Sequence, residues 1–176
     1  MTCSLDGYVA DADGSFDFAA PNEDLHAFVN GLVRDVRTFV MGRRMFETMR
    51  VWDTWPAGES AVADEFAELW AAADKIVCSD SLTGVDAPRT TFEPRLTTTR
   101  LAEIVAATDG VVEVSGPTTA AEPLRAGVVD ELLLLVVPHV VGAGLRALPD
   151  GARLELELAD ERRLANGTVF LRYVRR

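Results

Sequence analysis

From its start to Ala126 the chain switches repeatedly between short apolar runs and stretches in which apolar residues recur every three or four positions. The switch is sharpest from Thr38 to Met49, T-F-V-M-G-R-R-M-F-E-T-M. Phe39 to Met41 form an apolar run, Gly42 interrupts it, and Met45, Phe46 and Met49 return at helical spacing. That order predicts a strand, a tight turn and a helix start. A glycine there lets backbone approach a ligand closely, while exposed N–H groups and the guanidiniums of Arg43 and Arg44 favour an anionic group. The residues therefore suggest phosphate binding, with an ordinary turn carrying surface arginines as the plain alternative.

The remaining segments extend this alternation. Cys3 to Ala10 reads as a short strand that enters a loop over 11–20. Asn22 suits a helix N-cap, with Glu23 and Asp24 in the first turn, and Leu25, Phe28, Val29, Leu32 and Val36 give one apolar face. Val51 to Ser60 is a loop marked by Trp52, Trp55, Pro56 and Gly58, after which Val62, Phe66 and Leu69 restore a helix. Strands are expected at Lys75 to Ser79, Thr90 to Phe92 and Val111 to Ser115, and a helix around Leu101, Ile104 and Val105. Gly116-Pro117 reads as a turn before a helix over Thr118 to Ala126. Asp130 to Val137 is the most apolar strand, expected at the centre of a sheet. Beyond it the pattern is strand only: Arg153 to Leu158 alternates, and Thr168 to Val174 is β-rich behind Asn166-Gly167. Together these segments predict a single domain over residues 1–176, a three-layer α/β/α fold whose mixed, mostly parallel sheet ends in antiparallel C-terminal strands.

Composition narrows the function classes. A chain of 176 residues, 48% hydrophobic and 26% charged, can bury a core and is not a disordered sequence. Its net charge of −11 argues against a nucleic-acid or anionic-membrane surface, so any phosphate site must be local. Cys3 and Cys78 give neither a disulfide framework nor zinc spacing, and His26 and His139 are the two histidines, so no transition-metal site is expected. A reduced, cytoplasmic setting follows as the expectation. The N-terminus lacks a basic start with an apolar core, and Leu132 to Val137 is too short to span a bilayer, so neither a secretory signal nor a membrane span is expected.

Two motif readings fail on context. Gly142-Ala143-Gly144-Leu145-Arg146-Ala147 matches G-x-G-x-x-A, yet Pro149-Asp150-Gly151 ends the segment before a full helix could follow. Ser115 at a strand end lacks the G-x-S-x-G elbow of a serine hydrolase, and His139 fits better as a hydrogen-bonded strand-end residue. Three other strand ends carry small or polar residues suited to one extended anionic ligand: Gly42-Arg43-Arg44, Ser79-Asp80-Ser81, and Ser115-Gly116-Pro117-Thr118-Thr119. Ligands of open α/β sheets gather at the carboxyl ends of strands.

The segments S-L-D-G-Y-V-A, V-M-G-R-R-M-F-E-T-M, I-V-C-S-D-S-L, V-S-G-P-T-T-A-A-E-P-L-R-A-G-V-V-D-E-L and V-P-H-V-V-G-A-G, in that order, resemble the dihydrofolate-reductase-like family. That family includes the reductase domain of bacterial bifunctional riboflavin-biosynthesis deaminase-reductases. The resemblance covers essentially the whole chain. It implies that Gly42, Arg43, Arg44 and Met45 form the turn that holds a cofactor pyrophosphate and adenosine 2′-phosphate. Ser79 and Asp80 match the second adenosine-side loop. Ser115 and Gly116 match a Gly-Gly pair whose peptide is cis in dihydrofolate reductases, and Pro117, Thr118 and Thr119 match the helix start under the pyrophosphate. Met45 and Ser115 depart from the threonine and glycine found there. Pro123 removes an N–H early in the cradle helix, which is expected to start late or bend.

The same resemblance implies an NADPH-dependent oxidoreductase, with NADH as the alternative cofactor, acting on a C=N or C=O bond of a small pterin-like or riboflavin-pathway-like metabolite. A proton donor must then come from the chain. Asp24 matches the family's first-helix acid, Glu23 is the neighbouring register, and Asp6 could orient substrate or brace its loop. Acids in a first turn also stabilise the helix dipole with no catalytic role. A homodimer is expected because the riboflavin-pathway relatives are dimers and the apolar run Leu132 to Val141 plus the C-terminal hairpin supply more β-surface than one helix layer covers. The rival reading is a non-catalytic nucleotide-binding or structural member of the fold.

Overall fold

The computed structural model describes residues 1–176, whose elements follow in chain order. They are β1 (Thr2–Cys3), β2 (Tyr8–Ala10), α1 (Glu23–Val33), β3 (Val36–Gly42), α2 (Arg43–Met49), α3 (Ala61–Ala72), β4 (Asp74–Cys78) and β5 (Thr90–Glu93). Then come α4 (Thr98–Ala107), β6 (Val111–Ser115), α5 (Pro117–Ala126), β7 (Glu131–Val136), β8 (Leu145–Arg146), β9 (Leu156–Arg163) and β10 (Val169–Arg175). The chain divides into two compact units, His26–Thr119 and Met1–Leu25 with Ala120–Arg176. No helix is long and apolar enough to cross a membrane.

The unit His26–Thr119 is built on a four-stranded parallel sheet in the order β5-β4-β3-β6. Successive side chains of a strand face opposite sides, and here both sides are covered. Phe39, Met41 and Val77 pack with Val33 of α1, Phe46 of α2, and Phe66 and Trp70 of α3. Val40, Ile76 and Cys78 pack on the other side with Leu101 and Ile104 of α4. These strands therefore read as continuous apolar runs, as a sheet buried on both faces requires. Lys75 is the exception inside β4. Its ammonium is buried, donates to the Trp70 carbonyl at 2.9 Å and lies 5.1 Å from that ring's centre. Burial pushes its pKa below the ordinary lysine value.

The other unit holds a four-stranded sheet ordered β1-β7-β10-β9 and a small ribbon of β2 with β8. β7 lies between β1, to which it is parallel, and β10, to which it is antiparallel. Its apolar sequence is thus that of an inner strand, as expected. The expected Cys3–Ala10 strand is divided: a turn at Leu5 to Gly7 separates β1 from β2, and the two enter different sheets. The C-terminal hairpin also differs from its sequence reading. β9 starts at Leu156 and continues to Arg163, because a bulge intervenes between the pairs Tyr173↔Leu158 and Arg172↔Asp160. The extra residue, Ala159, reverses the facing of everything beyond it, so the alternation visible up to Leu158 stops while the strand does not.

The Gly142-Ala143-Gly144 segment has a local structural cause. A side chain at Gly144 (φ +140°) would run into the Ala10 carbonyl, so this glycine lets the chain close against β2 and enter β8. No helix follows it, in accord with the rejected dinucleotide motif.

Candidate cofactor and active site

Parallel register aligns the carboxyl ends of the strands in the His26–Thr119 unit. Gly42 is opposite Cys78, Cys78 opposite Glu93, and Met41 opposite Ser115. The segments that leave this one edge are Arg43-Arg44, Ser79-Asp80-Ser81, Pro94-Arg95 and Gly116 to Thr119. Sequence reasoning found the first, second and fourth. It missed the third, whose only local signal is a proline and an arginine after a short strand.

Gly42 ends β3 and caps α2 with extended backbone. Its need is spatial: a β-carbon there would lie 2.9 Å from Thr119 Oγ1 in the first turn of α5. Arg43 pairs with Glu47 one helical turn on, at 3.1 Å, with both side chains roughly half exposed. Such a pair contributes only about 0.3–0.5 kcal/mol, so its guanidinium is cheaply redirected to a ligand. Arg44 and Met45 lie exposed on the same turn.

Ser79 turns the chain over the strand end. Its N–H donates to the Glu93 carbonyl at 3.0 Å, and its hydroxyl oxygen accepts from the N–H groups of Ser81 and Leu82 at 3.2 and 3.3 Å. Asp80, held out by this turn, accepts from Arg95 Nη2 at 2.6 Å. Beside the same strand ends, Arg100 pairs with Glu93 at 2.7 Å and Glu103 at 3.0 Å.

Ser115 is buried and donates to Glu113 at 2.7 Å, which occupies the hydroxyl that a nucleophile would need. The Ser115–Gly116 peptide is trans, unlike the Gly-Gly pair it matches. The expected late start of the next helix is also corrected. α5 begins at Pro117, where a missing N–H costs nothing because first-turn donors have no helical partner. Pro123 lies within the same unbroken helix and is buried, at the cost of a helical donor to the Thr119 carbonyl.

The candidate acids belong to the other unit. Asn22 Oδ1 accepts from the Leu25 N–H at 3.1 Å, the N-cap contact its sequence predicts, and Glu23 and Asp24 are exposed in the first turn behind it. Asp6 is committed to its loop: it accepts from Ser4 Oγ at 2.6 Å and from the N–H groups of Gly142 and Val141 at 2.7 and 3.2 Å. The Ser4 hydrogen bond, followed by those backbone donors, holds its pKa below the ordinary aspartate value. His26 is half-buried, its ring 5.5 Å from those of Trp52 and Phe66, and burial lowers its pKa. A cleft of about 360 Å³ lies between α2 and the loop beyond Ser81, lined by Phe46, Glu47, Arg50, Leu82, Gly84, Val85 and Asp86. None of the cofactor residues expected from sequence lines it.

The sequence profile of the RibD C-terminal domain matches residues 1–170. The chain belongs to that family. As a RibD C-terminal domain it shares its fold with solved structures of low sequence identity. One is a protein assigned to riboflavin biosynthesis from Shewanella sp. PV-4, at 20% identity and a TM-score of 0.76 over 100% of this chain and 96% of that one. Another is the Thermotoga maritima diaminohydroxyphosphoribosylaminopyrimidine deaminase/5-amino-6-(5-phosphoribosylamino)uracil reductase, at 15% identity and 0.67, where the match covers 100% of this chain and 55% of the longer one. A third is the dihydrofolate reductase of Enterococcus faecalis, complexed with NADP(H), at 13% identity and 0.61 over 99% and 92%. These likenesses show a dihydrofolate-reductase-like α/β fold for this RibD C-terminal domain, as its sequence predicts. No curated protein matches the sequence.

Proposed function

We propose that the chain is a reductase that uses NADPH to transfer hydride to a C=N or C=O bond of a small heterocyclic or ribosylated metabolite of the pterin or riboflavin-pathway kind. The observation that carries this reading is the convergence, at one sheet edge, of the Gly42–Thr119 close approach, the N-terminus of α5 and the arginines Arg43, Arg44 and Arg95. These residues fit a dinucleotide. The glycine lets the end of β3 close on the first turn of α5, the helix start offers N–H groups to a pyrophosphate, and the guanidiniums suit a further phosphate. The RibD family membership and the reductases among its structural relatives support the same chemistry.

When bound, the nicotinamide supplies the hydride, and the chain has to orient the partners and deliver a proton. Asp24 is the proposed donor, with Glu23 in the adjacent register; Asp6 serves its loop through the hydrogen bonds described above. The decisive experiment titrates NADPH by fluorescence and then screens dihydrofolate and a ribosylaminopyrimidine. Binding below millimolar concentration with turnover of one of them is expected. No binding near millimolar overturns the reading. Asp24→Asn should lower kcat about a hundredfold at unchanged NADPH affinity; that pattern in Glu23→Gln instead would move the role by one residue.

The exposure of Glu23 and Asp24 favours a second reading, a nucleotide-binding member without catalysis. Bound NADPH, no turnover across a broad panel and no effect of either substitution would establish it. In both readings the proposed setting is a reducing cytoplasm, in keeping with the free, buried Cys3 and Cys78, and residues 1–176 are proposed as a single domain. The homodimer remains part of the proposal. β7 is inner by hydrogen bonding, with Leu133, Leu134 and Val136 half-buried on its faces, and Leu5, Phe16 and Val140 are exposed apolar side chains that add to the apolar surface. A 19 kDa monomer alone in sedimentation at micromolar concentration would remove it.

A further inference from the structure

We propose that Arg95 sets the cofactor preference of this site by neutralising Asp80, an inference that rests on the reductase reading above. Asp80 lies on the adenosine-side loop of that reading. An uncompensated carboxylate there repels a 2′-phosphate and accepts the hydroxyls of an unphosphorylated ribose, which selects NADH. The fold supplies the compensation. β4 and β5 are parallel and end level, with Cys78 opposite Glu93, and the Ser79 N–H bonds the Glu93 carbonyl at 3.0 Å. The chain therefore leaves both strands side by side, and Arg95 Nη2 meets Asp80 Oδ2 at 2.6 Å although fifteen residues separate them in sequence.

The neighbouring acids are matched in the same way, Glu47 by Arg43 and Glu93 by Arg100. Each of these three carboxylates has an arginine partner, and Arg44 lies exposed on the same edge. Both side chains are about two-thirds exposed, so solvent screens the negative charge that removing Arg95 leaves beside the ligand, and affinity changes about three- to fivefold. Arg95 is a positioning and charge-balancing residue in this account; it acts through Asp80.

The test measures dissociation constants for NADPH and NADH by fluorescence titration and calorimetry on the wild type, Arg95→Ala, Asp80→Asn and the double variant. Melting temperatures check that each is folded. Arg95→Ala should weaken NADPH about three- to fivefold and leave NADH within about twofold. The double variant should bind NADPH nearly as well as the wild type, because the charge that Arg95 cancels is gone. Equal weakening of both cofactors, no weakening of either, or a double variant as weak as Arg95→Ala overturns the inference while the reductase reading stands. A wild-type protein that binds neither cofactor overturns that reading and this inference with it.

Discussion

A β-carbon on Gly42 would lie 2.9 Å from Thr119 Oγ1, so the end of β3 and the first turn of α5 stand at a spacing that any residue but glycine meets only by shifting the Thr119 side chain. Gly42→Ala should push Thr119 aside, lower stability by about 1 kcal/mol and weaken NADPH about tenfold. Thr119→Ala in the same chain removes the obstructing oxygen and should restore much of both losses. Urea unfolding and cofactor titration measure the two quantities. A Gly42→Ala protein equal to wild type in both would show that the contact relaxes freely.

The Asp6 carboxylate should make the stability of its loop depend on pH in one direction. Its folded pKa is lowered below 3.8, chiefly by Ser4, so its contribution is complete above that value and fades as pH falls through the folded pKa. The gap in unfolding midpoint between wild type and Asp6→Asn should therefore be constant near neutrality and close in acid below pH 3.8. A gap that widens in acid would reverse the sign.

Glu47 pairs with Arg43 at 3.1 Å and, under the proposed cofactor reading, would compete with a phosphate for it. Glu47→Gln should accordingly tighten NADPH by about twofold, the scale of an exposed helical ion pair. Arg43→Ala should remove most of the NADPH preference and leave NADH affinity nearly unchanged. Equal losses for both cofactors would put Arg43 on the pyrophosphate.

Burial, with a smaller repulsion from Glu93, pushes the Cys78 thiol up to about 11, and burial also raises Cys3. Neither thiol should react with a disulfide reagent at pH 8 until the chain unfolds. Because the folded pKa of Cys78 exceeds the ordinary 9.0, its linkage should lower stability as pH rises from 9.0 towards 11. Rapid native-state labelling at pH 8 would contradict the burial argument.

What the sequence reveals here is whatever neighbouring residues determine. The β3–α2 turn is legible because an apolar run, a glycine and a helical period meet within a few positions. The inner position of β7 follows from its unbroken apolar run. Arg95 is not legible, since its partnership with Asp80 exists only once β4 and β5 are aligned in parallel. The far half of β9 is hidden by one extra residue at Ala159, which destroys the alternation without ending the strand. Pro117 reads as a turn although it is the first residue of α5, because the proline preference for turns and for first helical positions has the same origin in a fixed φ. Lys75 reads as the polar start of an apolar strand, and only the Trp70 carbonyl and ring, supplied by another element, explain how its ammonium is buried.

The bulge at Ala159 also bears on how the molecule behaves in a crowded solution. β9 is an outer strand, and its exposed backbone ladder is the kind of surface on which other chains nucleate fibrils. Extra local twist from the bulge and the charges of Asp160, Glu161, Arg162 and Arg163 along that strand oppose such growth. Replacing those charges with apolar residues should make the chain more prone to precipitate without changing the strand order, and deleting Ala159 should do so while also reversing the facing of the residues beyond it.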